Sequence, residues 1–143
     1  MHNKIVIDTS AVIALINREE GFEAVEKHIG NAVISSVNFS EVITVANREL
    51  FETEEERAEG LKLIRNTFSH IIEFDAEQAI IAASLDPLTR KYGLSLGDRA
   101  CLALAKQQKL PVLTADKVWK ELNLGINVQL IRDYILDTTE VGF

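Results

Sequence analysis

Four carboxylates stand where an apolar chain does not call for them. Asp8 ends the run "KIVI", and Asp116 follows "PVLTA". Glu41 follows "NFS" in a helix turn that is otherwise apolar (Phe39, Val42, Ile43), and Asp98 lies inside "LSLGDRACLALA", whose other residues look buried. Four such acids drawn to one crevice would repel one another, since two unit charges 4 Å apart cost roughly 4 kcal/mol at an effective dielectric near 20. Either some are protonated or a hard divalent cation sits among them. Magnesium or manganese, with oxygen ligands and several retained waters, is the natural choice. The three histidines, His2, His28 and His70, have no metal-ligand spacing. Each acid also has a plainer reading. Asp8, with Thr9 and Ser10 after it, has the form of a helix N-cap; Asp98 suits a helix N-terminus through the dipole; Asp116 can start the helix "ADKVWKEL". Glu41 taken alone reads as a solvated helix residue.

The elements that must position these acids alternate. Short β-branched runs, "KIVID", "AVISS", "IIEF", "PVLTA" and "NVQLI", read as strands. Between them helices are expected over 10–17, 21–29, 37–51, from the Thr53/Glu56 capping box to about Phe68, from Asp75 and Gln78 onward, and over 96–108. Pro87 should kink or divide the helix that Asp75 begins, and Gly93 should end it. Strand and helix alternating in this way imply an α/β fold, a mostly parallel sheet covered by helices on both faces. In such sheets ligands bind outside the carboxyl ends of the strands, where Asp8 and Asp116 fall. One domain over residues 1–131 is expected, with 132–143 a docked or disordered C-terminal tail.

The chain has 143 residues, 47% of them hydrophobic, and that suffices for a core without staples. A formal charge of -7 argues against a generic electrostatic grip on nucleic acid. Any polyanion must be held locally, and Arg48, Lys62, Arg65, Arg90, Lys91 and Arg99 are the candidates. Arg90 and Lys91 stand out because they precede the loop that delivers Asp98. The single cysteine, Cys101, excludes an internal disulfide and a Cys-rich zinc site, reads as a small core residue, and fits a reducing cytoplasm. Asp8 interrupts the apolar N-terminus, and no run reaches membrane length.

In order, "VIDTSAVIAL", "SEV", "LSLGDRACLALA" and "VLTADKVW" resemble the four acidic motifs of a PIN domain, and the ending most resembles the VapC-type toxins, the ribonuclease half of toxin-antitoxin pairs. The resemblance spans about residues 4–131. It implies a three-layer α/β/α sandwich and a Mg2+- or Mn2+-dependent endoribonuclease that leaves 5′-phosphate and 3′-hydroxyl ends. It implies Asp8, Glu41, Asp98 and Asp116 as the acidic catalytic and metal-binding residues. Thr9, Ser10 and Thr114 match positions where members place hydroxyls, and Arg90, Lys91 and Arg99 become candidate RNA contacts. Structured RNA such as transfer RNA, a protein antitoxin, and a second copy packed through apolar helix faces of the N-terminal half are the implied partners. Some members carry a further acid two residues after the last one; here that residue is Val118. Among other classes, a solitary RNA-processing nuclease and an inactive PIN-like binding module remain. A haloacid-dehalogenase-type phosphatase wants Asp-x-Asp after its strand, where this chain has Ser10. A receiver domain wants an acidic pair and a late-strand lysine, and neither is seen.

Overall fold

"KIVI" becomes strand β1, Ile5–Ile7, with all three side chains buried. In the computed structural model, which describes residues 3–132, β1 lies at the centre of a five-stranded sheet. The other strands are β2 (Ala32–Ser35), β3 (Phe68–Ile72), β4 (Val112–Thr114) and β5 (Val128–Leu130), in the order β3-β2-β1-β4-β5. Every pairing is parallel. A parallel sheet buried on both faces needs apolar side chains in consecutive positions, and this is why β1 and β2 read as unbroken runs.

Successive side chains of a strand point to opposite faces, so the sheet separates two cores. Ile5, Ile7, Ala32, Ile34 and Leu113 face one. There they meet Val12 of α1 (Thr9–Asn17), Val25 of α2 (Phe22–Glu26), Val42 of α3 (Ser36–Glu49) and Ile64 of α4 (Glu54–Asn66). Val6, Val33 and Val112 face the other, against Leu85 of α5 (Ala76–Thr89), Leu102 and Leu104 of α6 (Leu96–Gln108), and Trp119. The result is the expected three-layer α/β/α sandwich. Cys101 is fully buried, as expected of a core residue.

Several boundaries differ from those expected. Helix α4 stops at Asn66, and β3 begins at Phe68 rather than near Ile71. Phe68 is drawn into the first core, edge-on to Phe39 with ring centroids 6.3 Å apart. Pro87 neither divides nor ends α5, which runs on to Thr89. Pro87 lies in the last helical turn and is exposed, as is Ala83 one turn earlier, so the carbonyl that loses its donor can turn to water. A 3-10 turn, Arg90–Tyr92, then closes on Gly93 at φ 76°, a conformation that favours glycine. The segment after Asp116 forms only a 3-10 turn, Lys117–Glu121, because Trp119 swings wholly into the second core. The proposed tail falls almost wholly outside the described residues, which end at Arg132. Among those residues no helix is long and apolar enough to cross a membrane.

Candidate functional site

Strand order reverses at β1: the chain moves from β1 to β2 and β3 on one side, then returns to place β4 on the other. A crevice opens at the carboxyl ends of two neighbours whose connections leave in opposite directions. β1 and β4 pair as Val6 with Val112 and Ile7 with Leu113, so Asp8 emerges beside Thr114, and Asp116, two residues past the end of β4, opens onto the same crevice. The Asp8 N–H continues the ladder by donating to Leu113 O at 3.2 Å.

Asp8 is 4% exposed and its carboxylate is fully engaged. Oδ1 accepts from the Ala11 N–H at 2.9 Å and Oδ2 from the Thr114 hydroxyl at 2.7 Å. The Ser10 hydroxyl lies 2.8 and 3.0 Å from the two oxygens and itself accepts from the Ala115 N–H at 3.0 Å. Thr114 Oγ1 in turn accepts from the Asp116 N–H at 3.0 Å. Two hydroxyls thus hold Asp8 in one orientation and tie it to the backbone that carries Asp116.

Glu41 comes from α3 and Asp98 from the first turn of α6. Glu41 Oε1 accepts from the Thr9 hydroxyl at 2.6 Å and from Asn38 Nδ2 at 3.0 Å. The Glu41 carboxylate can lie against α6 only because residue 97 is glycine, since a Cβ there would collide with Oε2. All four acids line one cleft of about 460 Å³, together with Thr9, Ser10, Ser40, Thr44 and Val45. Among the described residues no lysine or arginine lines it.

The capping reading holds as well. Asp8 caps α1, and Asp116 caps the 3-10 turn by accepting from the Val118 N–H at 3.1 Å. Asp98 closes a capping box with Ser95, accepting from its N–H at 2.9 Å on Oδ2 while Ser95 Oγ accepts from the Asp98 N–H at 3.2 Å. Capping explains why an acid suits these element ends. It does not explain Glu41, which lies in the interior of α3, or why all four open onto the same space.

Burial pushes the Asp8 carboxyl up to about 6, against the Ala11, Thr114 and Ser10 hydrogen bonds that favour its charge; the Asp98 charge adds to the rise. Asp98 is raised too, by burial first, with its Ser95 bonds opposing and the Asp116 and Glu41 charges adding. Burial raises the Cys101 thiol well above its ordinary range, helped by the charges of Asp8, Asp98 and Glu41. The cleft therefore gathers four acids as hard oxygen donors, and that donor set fits Mg2+ or Mn2+. Among the described residues no group of three acids, histidines or cysteines stands close enough to hold a metal ion as placed.

The basic candidates lie elsewhere. Arg90 is exposed and sits 3.5 Å from Asp86, and the Lys91 ammonium lies 5.2 Å over the Tyr92 ring. Arg99 is held in the seam between α5 and α6, donating to Ala82 O at 2.9 Å, so its guanidinium is directed away from the cleft. Arg48, Lys62 and Arg65 are exposed on α3 and α4. His28 and His70 take no part in the cleft lining; His2 lies outside the described residues.

Two residues of the site have no place in the sequence reading, Asn38 and Gly97. Asn38 lies three positions before Glu41, the spacing that puts two side chains on one helix face, and that spacing was the available signal.

A profile of the PIN domain matches residues 5–124. No curated protein matches this chain. Among solved structures, the fold is similar to that of a DNA-bound VapBC complex from Salmonella typhimurium, with TM-score 0.71 and 21% identity over 92% of this chain and 100% of the other. A toxin-antitoxin complex from Klebsiella pneumoniae gives TM-score 0.70 and 22% identity over 91% and 99% of the two chains. A sarcin-ricin-loop-cleaving toxin from Mycobacterium tuberculosis gives 0.65 and 16% over 86% and 98%.

Proposed function

The chain belongs to the PIN-domain family, and on that premise we propose that it is a divalent-metal-dependent endoribonuclease, the toxin of a toxin-antitoxin pair. The observation that carries this reading is the cleft itself: four acids from four separated parts of the chain open onto one space, with hydroxyls turned to hold them. In this reading Asp8, Asp98 and Asp116 hold Mg2+ or Mn2+, and Glu41 completes the set directly or through water.

When bound, the cation lowers the pKa of water and neutralises charge on the phosphate and the leaving oxygen. The chain's own groups do the positioning. Ser10 and Thr114 fix the Asp8 carboxylate, Thr9 fixes Glu41, and Glu41 orients the attacking water toward phosphorus. Water oxygen bonds to phosphorus as the bond to the 3′-oxygen breaks, which leaves a 5′-phosphate and a 3′-hydroxyl. Arg90 and Lys91, on the turn before α6, are the proposed grip on the RNA backbone; Arg99 is committed to α5.

Solved neighbours of this fold are toxin-antitoxin complexes, and this supports an antitoxin that covers the acidic cleft. A second copy would pack on apolar helix faces of the N-terminal half, where Leu63 is 72% exposed and Ile29 50%. The substrate class we favour is structured RNA such as transfer RNA, met in the cytoplasm. End-labelled total transfer RNA incubated with the purified protein should give discrete cuts with Mg2+ or Mn2+, none with EDTA, and 5′-phosphate ends. Cutting that persists in EDTA, or that leaves 2′,3′-cyclic phosphate, would contradict the proposed chemistry.

A further inference from the structure

Asn38 is 1% exposed, on α3 one turn before Glu41. Its Nδ2 lies 3.0 Å from Glu41 Oε1, 3.0 Å from Gly97 O and 3.3 Å from Thr9 Oγ1. These acceptors belong to α3, α6 and α1, the three helices that carry Glu41, Asp98 and the residues after Asp8. The amide oxygen, Oδ1, is buried with no hydrogen-bond partner among the described residues. A buried unpaired acceptor costs free energy. Turning the amide over would not relieve it, because Oδ1 would then face the Glu41 carboxylate and the Gly97 carbonyl, both acceptors. The orientation is set by where the donors must go.

We propose that Asn38 is a positioning residue, which locks the Glu41 carboxylate against the first turn of α6 so that it faces the cation from a fixed direction. The proposal rests on the metal-dependent nuclease reading above. Glu41 has three side-chain torsions and would otherwise be held at Oε1 by Thr9 alone. Gly97 provides the space for the carboxylate, and the Asn38 bond to Gly97 O fixes the backbone that leads directly into Asp98. One amide therefore sets the spacing between two acids on different helices. A residue in this role acts through the ligand it orients, and losing such a partner typically weakens metal affinity or activity about 10- to 100-fold.

The test compares Mn2+ affinity of the full-length, RNA-free protein, measured by calorimetry, with kcat and KM for RNA cleavage. Asn38→Leu keeps the volume and removes the donors; Asn38→Ala, which also removes them, serves the same comparison if the leucine variant does not fold. The leucine variant should bind Mn2+ about 10-fold or more weakly and lose kcat, with KM for RNA within about 2-fold. In a Glu41→Gln background, adding Asn38→Leu should change Mn2+ affinity by less than about 2-fold, because the effect runs through that carboxylate. Unchanged Mn2+ affinity in folded Asn38→Leu, or an undiminished loss in the Glu41→Gln background, would overturn the proposal. Absence of Mn2+ uptake by the wild-type protein would instead overturn the metal-nuclease reading itself.

Discussion

Replacing Asp8 by Asn is expected to lower RNA cleavage by about 10³-fold and, in metal-free protein at neutral pH, to stabilise the fold. The loss follows if Asp8 holds the cation, because that charge stabilisation amounts to several kcal/mol in the transition state and each 1.36 kcal/mol is tenfold in rate. The gain follows from burial. Asp8 moves from 3.8 to about 6 on folding, so the native state disfavours its ionisation by about 3 kcal/mol. Below about pH 4 both states are protonated and no penalty exists. As pH rises between about 4 and 6 the unfolded chain ionises first, stability falls, and the deficit is complete above 6. Asparagine has no charge to lose and still caps α1 toward Ala11. Thermal melts in EDTA should show the variant melting on the order of 10 °C higher at pH 7 and alike at pH 3.5. A variant less stable than wild type at pH 7 would show that the buried carboxylate is a structural asset.

Asp98 separates capping from chemistry. Asp98→Asn keeps an oxygen to accept from the Ser95 N–H, and because burial and the neighbouring acids raise Asp98 above its ordinary range, losing its charge should not destabilise the metal-free fold at neutral pH. Cleavage should nonetheless fall by about 10²- to 10³-fold, since a ligand charge is gone. Ser95→Ala makes the reverse trade: it removes the acceptor for the Asp98 N–H, costs about 1 kcal/mol, and should leave cleavage within a few-fold. If Asp98 were a cap and nothing more, the two variants would lose stability and activity in the same proportion. Melting curves and initial rates on the same three proteins, the two variants and wild type, decide it.

How much of this was legible depends on what each residue answers to. The central strands were, because a parallel strand buried on both faces must be apolar throughout and its end is marked by the first acid. Helix α6 was legible to the residue, between Ser95, which caps it, and Lys109, which takes the left-handed conformation that ends it. β3 was not, since it is a sheet-edge strand whose exposed His70 and half-buried Ser69 dilute the pattern, and its start was fixed by Phe68 packing on Phe39. The 3-10 turn after Asp116 was likewise set by the burial of Trp119, a tertiary demand. In the site, the convergence of the acids could be read from strand and helix ends. Arg99, a candidate RNA contact in the sequence, donates to Ala82 O because adjacency in sequence is not adjacency on a helix: one residue turns the side chain by about 100°, from Asp98 toward α5. Asn38 was legible only as a side chain on the same helix face as Glu41; its bonds to three helices are tertiary and leave no local mark.

Manganese titrated into the RNA-free protein at pH 7, followed by electron paramagnetic resonance beside Asp8→Asn, tests most directly whether the acids exist to hold a cation. Saturable uptake by the wild-type protein, lost or greatly weakened in the variant, is the result expected. Equal uptake by both proteins, or none by either while both remain folded, would contradict a metal centre in the cleft and leave the acids as helix caps.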